Sequence, residues 1–287
     1  MTDPTIVKLL EEIHQSPKIR QQLIKKIESN SDVKNFRILL FFTSFRFPVS
    51  ITDDDANIIE GILQKTDSNK ELLLIINSPG GSALAAERIV RVCRSYSKNG
   101  FCTLVPKMAK SAATIITFGS KIIHMSPTSE LGPIDPQVRV GDKLMSAYSI
   151  IDSYKSMLDT AVKTQGRIEP YLQQLARYDP REIRELELAQ VLSENIAASL
   201  LKSGMMKNNT EADIKSKLEI FLNPKETKVH GRAIYPEVAK KTGLNIEILD
   251  PQSIIWQICW ELFIRADHAV NTSLAKLVET SSQHFAI

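Results

Sequence analysis

Two short stretches of this chain combine residue types that acyl chemistry needs. The first is Ser78-Pro79-Gly80-Gly81, which follows the apolar run ELLLII at 71–76. Paired glycines let the backbone come close to a substrate and leave an N–H free to point at it. An ordinary strand-to-helix turn uses the same residues. Neither GxxxxGKS/T nor GxGxxG occurs, so the stretch is not a phosphate loop. The second is Lys110-Ser111-Ala112-Ala113-Thr114. A serine followed by small residues at a helix start exposes its hydroxyl, and the N–H of the next residue can donate to an oxyanion. Helix capping is the plainer use of such a serine.

A serine nucleophile needs a neighbour that takes its proton. No histidine has an obvious claim: His14 lies near the N-terminus, His124 inside an apolar run, and His230 before Gly231 in a turn. A lysine serves if desolvation lowers its pKa towards neutrality. Lys155 and Lys163 fall on a predicted helix after the sheet, where a lysine ordinarily faces solvent. Asp152 and Asp159 flank Lys155 at helical spacing and would hold it charged. There is no HExxH, no His/Asp cluster and no CxxC; Cys93, Cys102 and Cys259 stand far apart. That pattern suits neither a metal site nor a disulfide scaffold and points to a reducing compartment. No cofactor is called for.

The elements that must carry these residues are legible as periodicity. RILLFF (37–42), ELLLII (71–76), FCTLVP (101–106) and KIIHM (121–125) are apolar runs of strand length. Thr52 with Asp55 forms a capping-box-like start to a helix, and 83–98 has helical spacing. Strands alternating with helices imply βαβ units and a largely parallel sheet. Ligands of such sheets sit at the carboxyl ends of the strands, where both stretches fall. Residues 4–29, 145–165 and 181–204 read as helices. The segment 229–249 reads as a turn, a short helix near Pro236 and a last strand. Residues 252–280 read as a final helix holding both tryptophans. No linker divides the chain, so the expected organisation is one domain at 35–250 with a helical extension at 1–34 and a C-terminal helix and tail at 251–287.

Composition narrows the function classes. The 287 residues are 43% hydrophobic and 24% charged, an ordinary globular balance. A net charge of +3 gives no footprint for nucleic acid or an anionic membrane surface. Runs such as 72–76 fall far short of the roughly 20 apolar residues that span a bilayer. The N-terminal stretch has no apolar run leading to a cleavage site. A soluble, cytoplasmic protein is expected.

Several motifs in order resemble a known superfamily. ITDDDANIIEGILQK (51–65) and LLLIINSPGGSALAAERIV (72–90) resemble the proteolytic subunit of Clp protease. MAKSAATIITFGSKIIHMSPTSELGPIDPQV (108–138) is closer to the serine dehydrogenase proteinase family, a branch near signal peptide peptidase A. HGRAIYPEVAKKTGLNIEIL (230–249) resembles the late segment of those proteins. The resemblance covers about 36–250. It implies an α/β fold of the Clp/crotonase type, a spiral of ββα units, with helical additions at both ends and assembly into homo-oligomers. It implies a serine peptidase acting on peptide or protein substrates, with Ser111 as nucleophile and an oxyanion and substrate-binding site at Gly80, Gly81 and Ala112. The Clp histidine is absent: its place is taken by Gly132-Pro133-Ile134-Asp135-Pro136. The relatives with a Ser–Lys dyad then imply Lys155, 44 residues after Ser111 in a Ser153-Tyr154-Lys155-Ser156-Met157 segment, in preference to Lys163. Asp135 would orient the base or cap the turn. A crotonase-type acyl-thioester enzyme and a catalytically weak assembly protein are the alternatives on this fold. The first usually has a glutamate near the second loop, where this chain has serine and no acid.

Overall fold

The four apolar runs form neighbouring strands because each is buried on both faces. In the computed structural model, which describes residues 17–30, 36–141, 143–223 and 233–287, they are β1 (Phe36–Thr43), β2 (Glu71–Asn77), β3 (Phe101–Val105) and, after a two-residue β4 (Met108–Ala109), β5 (Ile123–Met125). Helices α1 (Pro17–Glu28), α2 (Asp53–Leu63), α3 (Ala83–Ser95) and α4 (Ala112–Phe118) intervene. Further along come β6 (Glu130–Leu131), the hairpin β7 (Gln137–Val140) and β8 (Lys143–Ser146), and helices α5 (Ala147–Lys163), α6 (Glu169–Leu175), α7 (Pro180–Lys202) and α8 (Glu211–Leu222). The chain closes with α9 (Pro236–Lys241), β9 (Ile246–Ile248), α10 (Ile254–Thr272), β10 (Lys276–Glu279) and β11 (His284–Ala286).

The main sheet runs β11-β10-β1-β2-β3-β5-β9, parallel from β1 to β9. Within each apolar strand, alternate residues serve different layers. Leu39, Phe41, Leu72, Leu74 and Ile76 pack with α2, α3, α4, α7 and α8. Ile38, Leu40, Phe42, Leu73 and Ile75 pack with α1 and α10. Past their carboxyl ends the strands turn into a second, shorter layer. Ile51 bridges Gly81, Ser78 bridges Ala109, β4 pairs with β6, and Leu131 bridges Ile234. Strand, short segment and helix repeat in that order, which is the expected stack of ββα units. The capping box is also present: the Thr52 N–H donates to Asp55 Oδ2 at 2.7 Å.

The C-terminal segment departs from the sequence reading. The helix expected over 252–280 stops at Thr272, and 276–286 supplies β10 and β11, antiparallel on the edge of β1. Strand β9 is therefore not the last. The run KLVE fits either period, but as a strand it sends Leu277 into one layer and Val278 into the other. Its charged ends find buried partners: Lys276 Nζ lies 2.8 Å from Asp55, and Glu279 takes Arg20 Nε at 2.7 Å and Nη2 at 3.0 Å. The sheet is thus not confined to 35–250. The hairpin β7–β8 was also not expected. Of the N-terminal helix, 17–28 is described; residues 4–16, with His14, and His230 with Gly231 lie outside the described residues. Among the described residues no helix is long and apolar enough to cross a membrane.

Arg20 and Glu279 are 2% and 0% exposed, and Glu279 also meets His284 Nδ1 at 2.7 Å, so removing Glu279 strands the Arg20 guanidinium in the core. Glu279→Leu is expected to lower the unfolding free energy by about 3–5 kcal/mol, and Arg20→Met in the same chain to restore most of it. Urea denaturation of the two variants checks this; equal stability of the single and double variants would contradict it.

Candidate active site

The serine turn is built where β4 hands over to α4. Ser78 N–H donates to Met108 O at 3.2 Å and Lys110 N–H to Ser78 O at 3.0 Å, so the continuation of β2 lies along β4. Between Ala109 and Ala112 the chain reverses through Ser111, which has φ 51° and ψ −121°. A non-glycine residue in that region costs about 1–3 kcal/mol and persists only where its surroundings enforce it. Here they do. Ser111 N–H donates to Pro133 O at 3.1 Å, and Gly132 N–H to Ala109 O at 2.9 Å. The Thr114 hydroxyl donates to Ala109 O at 2.7 Å and Gly132 O at 3.0 Å. Lys110 and Glu130 close the flank as an ion pair at 2.6 Å. Ser111 Oγ makes no capping hydrogen bond, so the serine does not act as the helix cap. A strained strand-to-helix turn of this kind presents a hydroxyl outward.

The glycine loop lies directly against this turn. Gly80 has φ 109°, and a Cβ there would fall 2.6 Å from Ser111 Cβ and 3.0 Å from Ala112 N. A Cβ on Gly81 would meet Ile51 N at 2.3 Å. Only glycine permits both approaches. The Gly80 N–H donates to Ser78 Oγ at 3.1 Å, and that hydroxyl is 2.6 Å from Thr43 Oγ1. Gly80 therefore contributes closeness rather than a donor. The N–H groups of Gly81 and Ala112 have no acceptor among the described residues. They flank the serine on adjoining turns, the arrangement that stabilises charge on a carbonyl oxygen.

The candidate bases stand apart from one another. Lys155, on α5, is 60% exposed and lies 2.7 Å from Glu187 of α7. The carboxyl of Glu187 is held below its ordinary range, chiefly by that hydrogen bond. Asp159 lies 4.0 Å from Lys163, itself 78% exposed. Asp135 is fully buried in the segment whose Pro133 carbonyl receives the Ser111 N–H. His124 sits on β5 with Nδ1 3.3 Å from Glu247, and burial lowers its pKa. Burial pushes the Cys93 and Cys259 thiols up to about 12, and Cys102 to about 11, so none is a thiolate nucleophile. No group of three or more His, Cys, Asp or Glu residues could hold a metal among the described residues.

A strained serine between stacked ββα units, backed by a glycine loop with free N–H groups, is the architecture of the Clp-type hydrolases. The chain belongs to the family of ClpP-like SDH-type serine proteinases, whose model matches residues 8–254. Two curated relatives are the uncharacterized proteins MJ0137 and MJ1495 of Methanocaldococcus jannaschii. MJ0137 is 26% identical over 152 residues, 50% of this chain and 53% of its own. MJ1495 is 25% identical over 150 residues, 50% of this chain and 51% of its own. The chain thus spans about half the length of the curated relatives it matches. Among solved structures, a mutant of the 1510-N membrane-bound stomatin-specific protease overlaps 47% of this chain and 68% of its own, at 17% identity and a TM-score of 0.32.

Proposed function

We propose that the protein is a serine peptidase with Ser111 as nucleophile. The observation that carries this reading is the strained Ser111 turn pressed against Gly80, with the N–H groups of Gly81 and Ala112 left free beside it. The hydroxyl gives its proton to a base as Oγ bonds to the substrate carbonyl carbon. The carbonyl oxygen becomes an oxyanion that the two N–H groups receive. The C–N bond then breaks, the amine leaves with the proton, and water hydrolyses the serine ester. Membership of a serine proteinase family supports a peptide or protein substrate.

Lys155 is the base in this proposal, on the match of the segment 153–157 to dyad-type relatives. Its side chain is exposed and paired with Glu187 at 2.7 Å. It becomes a base only when Glu187 is displaced and the amine desolvated. A second copy of the chain packed on this arm would do both. Leu144, Val162, Leu172, Leu188 and Val191 are exposed on the hairpin and on α5–α7, an apolar area that self-association would cover. On the tryptophan-bearing helix Trp256, Leu262 and Phe263 are buried within the chain, whereas Ile254 and Trp260 are exposed. Light scattering is expected to give a mass above the 32.2 kDa of one chain; a monomer at micromolar concentration contradicts the assembly.

The base is tested with a fluorophosphonate probe on paired variants. Lys155→Met is expected to slow Ser111 labelling by about 10²-fold or more, the scale of lost general-base catalysis, while Lys163→Met labels normally. The opposite result moves the base to Lys163. If both label normally, the dyad is wrong, and Asp135 and His230 are the next residues to change.

A further inference from the structure

One side chain joins the roots of both loops of the proposed site. Asn77 ends β2, is fully buried, and immediately precedes Ser78-Pro79-Gly80-Gly81. Its Oδ1 accepts the N–H of Met108 at 3.1 Å, three residues before Ser111. A primary amide has nearly the same shape with oxygen and nitrogen exchanged, so its orientation is set by its partners. Rotated by half a turn, Asn77 would face the Met108 N–H with its own NH₂, donor against donor.

The partner that excludes the rotated form is Asp267 on α10, whose Oδ1 accepts from Asn77 Nδ2 at 3.1 Å. The Asp267 backbone carbonyl accepts from Asn271 Nδ2 at 2.8 Å, and Asn271 Oδ1 accepts from Ser44 Oγ and Phe45 N–H at 3.0 Å each. The α10 turn is thereby pinned to the end of β1. Burial pushes the Asp267 carboxyl up, offset only in part by Lys107, by the hydrogen bonds from Asn271 and Asn77, and by Arg46. Asp267 is beyond residue 254, where the family match ends.

We infer that Asp267 is a positioning residue: through Asn77 it holds the glycine loop and the serine turn at working distance. This rests on the reading of Ser111 and Gly81 given above. The test uses the full chain with Asp267→Ala, Asp267→Asn, Asn77→Ala and the double alanine variant. Asp267→Ala is expected to lower kinact for fluorophosphonate about 10- to 100-fold with KI little changed, because misplacement of reacting groups by about an ångström costs that much. Asp267→Asn, which keeps an acceptor, recovers most of the rate. The double variant is no slower than Asn77→Ala alone, since the two side chains act as one unit. Hydrogen exchange is expected to quicken at 78–82 and 107–111 in Asp267→Ala and to stay unchanged in β9 and α8. A wild-type kinact in Asp267→Ala, or effects that multiply in the double variant, overturns the inference. So does unchanged exchange at the two loops, whatever the labelling does. Should the wild-type protein take no label at all, the serine reading fails, and exchange alone decides the role of Asp267.

Discussion

Ser111→Ala is expected to abolish fluorophosphonate labelling and to lower any peptidase rate by roughly three orders of magnitude or more, because the covalent route is removed while binding and oxyanion donors remain. The fold should be indifferent to the change. Ser111 Oγ caps nothing, and the bonds that hold the turn come from its backbone and from Thr114, Gly132 and Pro133. Alanine at φ 51° bears the same backbone strain as serine, so the melting temperature stays where it was. Intact-mass spectrometry after probe treatment, alongside a thermal melt, measures both. A variant that labels or cleaves like the parent removes Ser111 from the chemistry, and a variant that unfolds shows a structural role for the hydroxyl.

Gly80→Ala is expected to have the next largest effect, and unlike Ser111→Ala it should damage stability as well as rate. The added methyl would stand 2.6 Å from Lys110 O and from Ser111 Cβ, inside contact distance of backbone that is itself hydrogen-bonded to Ser78. At φ 109° the alanine is also strained. Strain of about 1–3 kcal/mol and overpacking of similar size both oppose the fold. Relief requires the glycine loop and the serine turn to separate, which moves Gly81 and Ala112 apart. Labelling is expected to fall by at least about 10²-fold, the cost of losing one oxyanion donor. Gly61→Ala is the control. It lies in α2 with nothing within 4 Å of the added methyl, and a helix-interior Gly→Ala change there gains about 1 kcal/mol. Urea midpoints and labelling rates for the pair decide it: a Gly80→Ala variant as stable and as quickly labelled as the parent contradicts the contact between the loops.

What the sequence by itself determined is the part written in local pattern. Strands β1 and β2 carry unbroken apolar runs at 38–42 and 72–76, and β3 is apolar but for Thr103, because both faces are covered, and continuous burial leaves a run that needs no knowledge of the neighbours. The capping box at Thr52 and Asp55 spans four residues. Gly80-Gly81 stands out because a close backbone approach demands glycine, and Ser111 because a serine followed by small residues opens a helix.

Only the tertiary structure decided the rest. The run 276–279 suits a helix or a strand equally, and what made it a strand was the open edge of β1, more than 230 residues earlier in the chain. Helical spacing offers Asp152 and Asp159 to Lys155, but no spacing shows that α7 brings Glu187 to within 2.7 Å of it. That Gly80 touches Ser111 while its own N–H is taken by Ser78, and that Asp267 orients Asn77, cannot be seen in any window of the sequence. Burial and backbone conformation leave their mark on adjacent residues. Side-chain pairing across the fold depends on which distant segments the sheet brings together, and nothing in either segment alone records the other.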